Sequence, residues 1–166
     1  MPELVEILGP DGTIVGVVGR PSMRRNRLRH RAAFVAVVDR SNRLLVHRRS
    51  DDKDVWPGRW DIAAGGVCNV GEAWQAAAER ELLEELGLCV PLEHLAVGTF
   101  ADDAVDVVGV AFLARSDGPV HFGDGEVVEA RWVDAAELTA LRATEVFCPD
   151  SIAIVLPALI EGGLPA

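Results

Sequence analysis

The sequence predicts one domain of the α/β or α+β class, and three observations predict it. Strand-like apolar runs are interleaved with segments of helical periodicity, the order of a mixed fold. One run, AAFVAVVD at 32–39, is almost continuously apolar and β-rich, as a strand buried on both faces is. The chain has 166 residues, 49% hydrophobic and 25% charged, enough for one sizeable core. It shows no internal repeat, no low-complexity segment and no linker that would divide it.

The elements follow in order. LVEIL and TIVGVV flank the turn sequence GPDG and predict a small N-terminal hairpin. PSMRRNRLRHR crowds Arg24, Arg25, Arg27, Arg29, His30 and Arg31 into one stretch. It reads equally as a grip for phosphate or as a basic solvated loop that offsets an acidic body. AAFVAVVD and RLLVHRR are strands joined across Arg40, Ser41 and Asn42. DDKDVWPGRW is a loop broken by Pro57 and Gly58, and DIAAGG leads into a helix. That helix has marked ends: Asn69 with Glu72 three residues on resembles a capping box, and Gly87 sits where a left-handed C-cap glycine belongs, with Leu88 beyond it. LAVGTFA, DVVGVAFLA and VVEARWV are later strands, the last two separated by the loop SDGPVHFGDG. AAELTAL is a short helix. PDSIAIVLPALI is a terminal helix, with Asp150 or Ser151 as cap and Pro157 as kink or end.

Charge and cysteine usage exclude several classes. A net charge of −10 argues against general electrostatic binding to nucleic acid or acidic lipid. Cys68, Cys89 and Cys148 are an odd number without metal-ligand spacing, so they read as reduced thiols. MPELVEILGPDG is no signal peptide, and no apolar run is long enough to span a bilayer, so the expected location is the cytoplasm.

The chemistry is concentrated in ERELLEELGL. Glu79, Glu81, Glu84 and Glu85 fall within seven positions, in the last turns of a helix, where the macrodipole disfavours acids. At about 100° per residue Glu81, Glu84 and Glu85 share one face, with Leu82, Leu83 and Leu86 roughly opposite. Ala73, Ala77 and Ala78 lie upstream on the acid face, a shelf of small side chains. A solvated acidic face is the ordinary reading of such a run. Here the helix lacks the lysines that would relieve it, and each like-charge pair costs roughly 0.2–0.5 kcal/mol. A divalent cation removes that cost, and clustered carboxylate oxygens suit Mg²⁺ or Mn²⁺.

GVCNVGEAWQAAAERELLEELGL, from Gly66 to Leu88, resembles the Nudix box, G-x5-E-x7-R-E-U-x-E-E-x-G-U with U a bulky aliphatic, at every defined position. These are Gly66, Glu72, Arg80, Glu81, Leu82, Glu84, Glu85, Gly87 and Leu88. The resemblance covers the chain from about residue 30. It implies an α/β/α sandwich with a mixed sheet, residues 1–29 being an N-terminal extension and 30–166 the core. It also implies Mg²⁺ or Mn²⁺ on Glu81, Glu84 and Glu85 with a backbone carbonyl from the Gly65–Gly66 loop, and a structural pair of Arg80 with Glu72. The implied reaction is attack of water on a diphosphate linked to another group X. Glu81 is the first candidate base, and Glu126 and Asp103 are candidates for base or further ligand.

The flanks RLRHRAAFVAVVD, LLVHRRSDDKDVWPGRWD and FCPDS resemble the isopentenyl-diphosphate isomerase-like branch, which holds the true isomerase and hydrolases. The isomerase needs a cysteine where this chain has Gly65. It also needs metal ligands where the chain has Met23, Val67, Val105 and Val107; of that set only His30 remains. Cys68 is out of register. The expectation is therefore a hydrolase acting on a small-molecule diphosphate, with X a nucleoside, a sugar, a coenzyme fragment or an isoprenoid, and nucleoside di- or triphosphates or their derivatives first. The isomerase and a non-catalytic sensing module are the alternatives. Arg48 and Arg49 end a strand near WPGRW, and alternation lets only one of them face a substrate phosphate. Trp56, Trp60 and Trp132 read as core. Trp74, on the acid face, reads as a wall of the cleft or a contact to a second subunit. A homodimer is compatible with the apolar terminal segments.

Overall fold

The computed structural model describes residues 2–166. The N-terminal hairpin forms as β1 (Leu4–Leu8) and β2 (Ile14–Gly19), paired antiparallel. A short helix, α1 (Arg20–Arg25), follows directly, with Pro21 in its first turn, where a missing N–H costs nothing. Then come β3 (His30–Val38), β4 (Leu44–Arg49) and two short strands, β5 (Trp60–Asp61) and β6 (Ala64–Val67). DIAAGG is thus more than a lead into the helix: its glycines belong to the sheet. The glutamate helix is α2 (Trp74–Leu86), followed by β7 (Leu92–Ala101), β8 (Asp106–Arg115) and β9 (Val127–Val133). The chain closes with α3 (Ala135–Thr144), α4 (Pro149–Ile154) and α5 (Leu156–Glu161).

The strands form one mixed sheet. β3 is its spine. It runs parallel to β8 from His30 opposite Val107 to Val38 opposite Arg115, and antiparallel to β6 from Ala32 opposite Val67 to Val35 opposite Ala64. β4 pairs antiparallel with β5 and β9. Alternation along β3 divides its side chains between two cores. Ala32, Phe34, Ala36 and Val38 pack with Leu138 and Leu141 of α3 and with Ile154, Leu156 and Leu159 of α4 and α5. Ala33, Val35 and Val37 pack with Ala77, Ala78, Leu82 and Leu86 of α2. Helices therefore cover both faces, which is why the run 32–39 has no polar face.

Three local expectations change. α2 starts at Trp74 after Ala73 and has no side-chain cap. The Glu72 carboxylate does accept the Asn69 N–H at 2.8 Å, but it closes a turn in the loop ahead of the helix, because Arg80 holds Glu72 there. The terminal helix breaks at Val155 into α4 and α5, with Pro157 in the first turn of the second piece; the cap position of α4 is Cys148, ahead of Pro149. Ala77 and Ala78 form no open shelf, since both are fully buried and let α2 approach the sheet closely. Gly87 ends α2 in the left-handed region at φ 66°, where a Cβ would be strained. Among the described residues no helix is long and apolar enough to cross a membrane.

Candidate functional site

The site is built where α2 lies along β6. A Cβ on Gly65 would sit 2.3 Å from the Ala33 carbonyl oxygen, so β6 can approach β3 this closely only with glycine there. A Cβ on Gly66 would sit 2.4 Å from Glu81 Oε1. The two glycines open a slot into which the helix inserts its acids. Glu81 is 7% exposed and Glu85 only 2%, whereas Glu84 stays at the surface and Leu83, expected opposite the acids, is 56% exposed. The solvated-face reading thus holds for Glu84 and fails for the other two.

Arg80 locks this arrangement. Its guanidinium donates to Glu72 Oε1 at 2.8 Å, Glu72 Oε2 at 3.0 Å, Glu81 Oε1 at 2.6 Å and the Val67 carbonyl at 3.1 Å, joining loop, strand and helix. The hydrogen bonds from Arg80 hold Glu72 below the usual carboxylate range. Burial pushes Glu81 up, against the pull of Arg80. Burial, then Glu81, pushes Glu85 well above its ordinary value.

Glu85 is short of partners for a buried carboxylate. The Gly65 N–H reaches it at 3.3 Å, and the Lys53 ammonium lies 3.9 Å away, itself ion-paired to Glu126. Lys53 thus draws Glu126 toward the glutamates of α2. Among the described residues no three His, Cys, Asp or Glu side chains are gathered tightly enough to hold a metal ion as they stand. The donor set nevertheless fits a hard divalent cation: oxygen donors only, with Glu81 and Glu85 buried, Glu85 having no cation closer than Lys53 at 3.9 Å, and Glu84 and Glu126 at the edge.

Beside the Gly65–Gly66 slot opens a cavity of about 60 Å³. Arg20, Arg24, Arg49 and Lys53 line it, with His30, Trp56 and the valines Val67, Val105 and Val107. Of the arginine pair at the end of β4, Arg49 lines the cavity, and Arg48 turns away toward Asp51 and Glu129. Arg49 donates to the Val55 carbonyl at 2.9 Å, while its Nε is buried and has no partner. Asp61 and Asp150 also line the cavity, and Asp61 Oδ1 accepts the Ser151 hydroxyl at 2.5 Å and the Ala63 N–H at 3.2 Å. Burial, then Asp61, pushes the Asp150 carboxyl up to about 7.

Two measurable consequences follow from these buried groups. Ser151→Ala leaves Asp61 one donor short and costs roughly 1–3 kcal/mol, read as a fall in Tm. Burial pushes His30 and His47 down to about 4, from an ordinary 6.5. Between those values the unfolded chain binds more protons, so the histidine contribution is complete above about pH 6.5 and is lost as pH falls toward about 4. Between about pH 7 and about pH 5, wild type is expected to lose more stability to denaturant than His47→Gln does.

Other expected residues lie elsewhere. Trp74 does not wall the cavity; it packs on the α2 core and carries the Arg31 guanidinium 5.0 Å above its ring. Asp103 is fully exposed, near Arg27, and does not line the cavity. The arginine-rich segment is neither one phosphate grip nor one solvated loop. Arg29 pairs with Asp106 and Arg31 with Glu6, tying separate elements together, while Arg24 bonds Asp54 and lines the cavity. Trp60 is core, and Trp132 packs against the α2 core. Lys53, Asp61 and Asp150 were missed as site residues. Asp61 and Asp150 share the cavity because WPGRWD and FCPDS form a single unit: Trp60 bridges Phe147 and Ser151 bonds Asp61.

The NUDIX domain family matches residues 28–150. The chain is 39% identical over 151 residues to YfcD of Salmonella typhi, an uncharacterized Nudix hydrolase, spanning 90% of this chain and 81% of that protein. To YfcD of Escherichia coli K12 it is 38% identical, over 90% of this chain and 83% of the relative. These relatives lend no support to the isomerase-like branch suggested by the flanks. Among solved structures, DR0079 of Deinococcus radiodurans superposes with a TM-score of 0.73 at 23% identity, over 87% of this chain and 92% of that one, a likeness of fold. An intact glutamate motif on that fold and relatives of this similarity lead to one assignment: the chain belongs to the Nudix hydrolase family.

Proposed function

We propose that this protein is a Mg²⁺- or Mn²⁺-dependent pyrophosphohydrolase acting on a diphosphate joined to a group X. The observation that carries the reading is the buried pair Glu81 and Glu85, held in a glycine slot beside a cavity with four cationic side chains. Glu81, Glu84 and Glu85 would hold the ion, with Glu126 and the Gly66 carbonyl at hand. When bound, the ion supplies charge to the diphosphate and lowers the pKa of water. Arg80 fixes the orientation of Glu81 through its hydrogen bond. Arg49 and Lys53 face the anionic substrate from the cavity. Glu81 and Glu126 are the two carboxylates able to take the proton of the attacking water. The water oxygen bonds to one phosphorus, the bridging P–O bond on that phosphorus breaks, and the leaving phosphate departs with the bridging oxygen.

The test is hydrolysis, read by chromatography of the phosphorylated products, across nucleoside di- and triphosphates, dinucleotides, nucleotide sugars and isopentenyl diphosphate, each with Mg²⁺, with Mn²⁺ and with EDTA. Metal-dependent turnover of one group is expected, and silence throughout would sink the reading. An isomerase is disfavoured by the backbone itself. A cysteine at position 65 would place its Cβ against the Ala33 carbonyl, and valines stand at three of the isomerase's ligand positions. No proton exchange into isopentenyl diphosphate is expected.

A further inference from the structure

The cavity beside the glutamates narrows the substrate class, an inference that rests on the proposed hydrolase. It holds about 60 Å³, well under half of the ~150 Å³ that takes up one benzene ring. It does not enclose a whole nucleobase, nor a whole five-carbon isoprenoid tail, which is close to benzene in size. What fits is a group of a few heavy atoms.

Charge then selects among compact groups. Arg20, Arg24, Arg49 and Lys53 stand against Asp54, Asp61 and Asp150. Asp54 is engaged by Arg20 and Arg24, and Asp61 by Ser151 and the Ala63 N–H. Arg49 has no carboxylate closer than Asp61, at 4.0 Å, and its Nε donates to nothing. A buried guanidinium N–H without an acceptor is costly, and a phosphoryl oxygen is the acceptor that matches its geometry and charge. A compact apolar group would leave that N–H unanswered. An amine would meet the four cations. Asp150, whose carboxyl is pushed up to about 7, can be protonated and donate to the same anion.

We infer that this cavity takes the free phosphoryl end of the substrate, so the substrate is a diphosphate substituted on one side only, and X lies outside, past the glutamates. Nucleoside di- and triphosphates and other X-diphosphates with a free end belong to this class. Dinucleotides and nucleotide sugars, with an organic group at each end, do not.

Calorimetric titration with two non-hydrolysable probes in the presence of Mn²⁺ tests this: methylenediphosphonate, with free ends, and its P,P′-dimethyl ester, with both ends blocked. Wild type is expected to bind the free-ended probe at least about 10-fold more tightly, the loss expected for one charge-assisted hydrogen bond. Arg49→Gln should erase most of that preference, and Arg49→Lys, which keeps the charge, should retain part of it, with Tm showing that both variants fold. Equal binding by wild type, a preference that survives in Arg49→Gln, or failure of both probes to bind would each overturn the inference. The hydrolase reading is judged separately, by turnover of the substrate panel and its dependence on metal.

Discussion

Glu85→Gln is expected to lose turnover by at least on the order of 100-fold and, in EDTA, to melt higher than the wild type. Both effects come from one fact, that Glu85 is a carboxylate 2% exposed with a single N–H at 3.3 Å and an ammonium at 3.9 Å. Ionising it there is unfavourable, so its pKa stands well above the ordinary 4.5. Between that value and the raised one the native chain binds more protons than the unfolded chain. Stability therefore falls as pH rises through the window. Glutamine keeps the shape and the acceptor for the Gly65 N–H but removes the charge, and Lys53 retains Glu126. Each kcal/mol of relief moves Tm by about 2–4 °C at this size. Added Mn²⁺ should raise Tm of the wild type and leave Glu85→Gln unmoved. A variant that turns over at the wild-type rate would remove Glu85 from the site, and one that melts lower would show that its charge is well compensated.

The second large effect separates two adjacent glycines. Gly65→Ala is expected to prevent folding or to lower Tm by several degrees, with soluble yield and Tm as readouts. Its Cβ meets the backbone of β3 at Ala33 and Phe34, at 2.3 and 3.2 Å, and β3 cannot yield without breaking its ladders to β6 and β8. Overpacking of this kind costs about 1–3 kcal/mol or more. Gly66→Ala meets only the end of the Glu81 side chain, at 2.4 Å. That carboxylate can swing aside, so the fold should survive. Glu81 would then leave its place beside Arg80, and turnover should fall by on the order of 100-fold. Equal behaviour of the two variants would mean that the slot is not built as described.

Legibility followed distance along the chain. The β3 run and the C-terminal end of α2 could be read because apolar alternation and the left-handed glycine act over a few residues, whereas the start of α2 could not, since Arg80 holds Glu72 in the loop ahead of it. The glutamates could be read because the motif spacing is local to one helix. Which glutamates are buried could not, since that depends on β6 lying alongside, and the glycines that allow it look like an ordinary turn. Arg49 over Arg48 needed the register of β4, and alternation could say only that one of the two would face inward. Lys53, Asp61 and Asp150 stayed hidden because two loops remote in sequence converge on the cavity. Trp74 misled because the face of α2 was drawn without Arg31, which arrives from another strand.

The parallel pairing of β3 with β8 also sets when the site can exist. A nascent chain that has just passed Leu88 carries the whole glutamate motif. It lacks the strand that, from His30 opposite Val107 onward, borders β3 along its length. It lacks also Ser151, which closes the floor under Asp61. Such long-range pairing is slow to form. The cavity beside the motif, lined by Val105, Val107 and Asp150, is therefore complete only once nearly the entire chain has emerged from the ribosome.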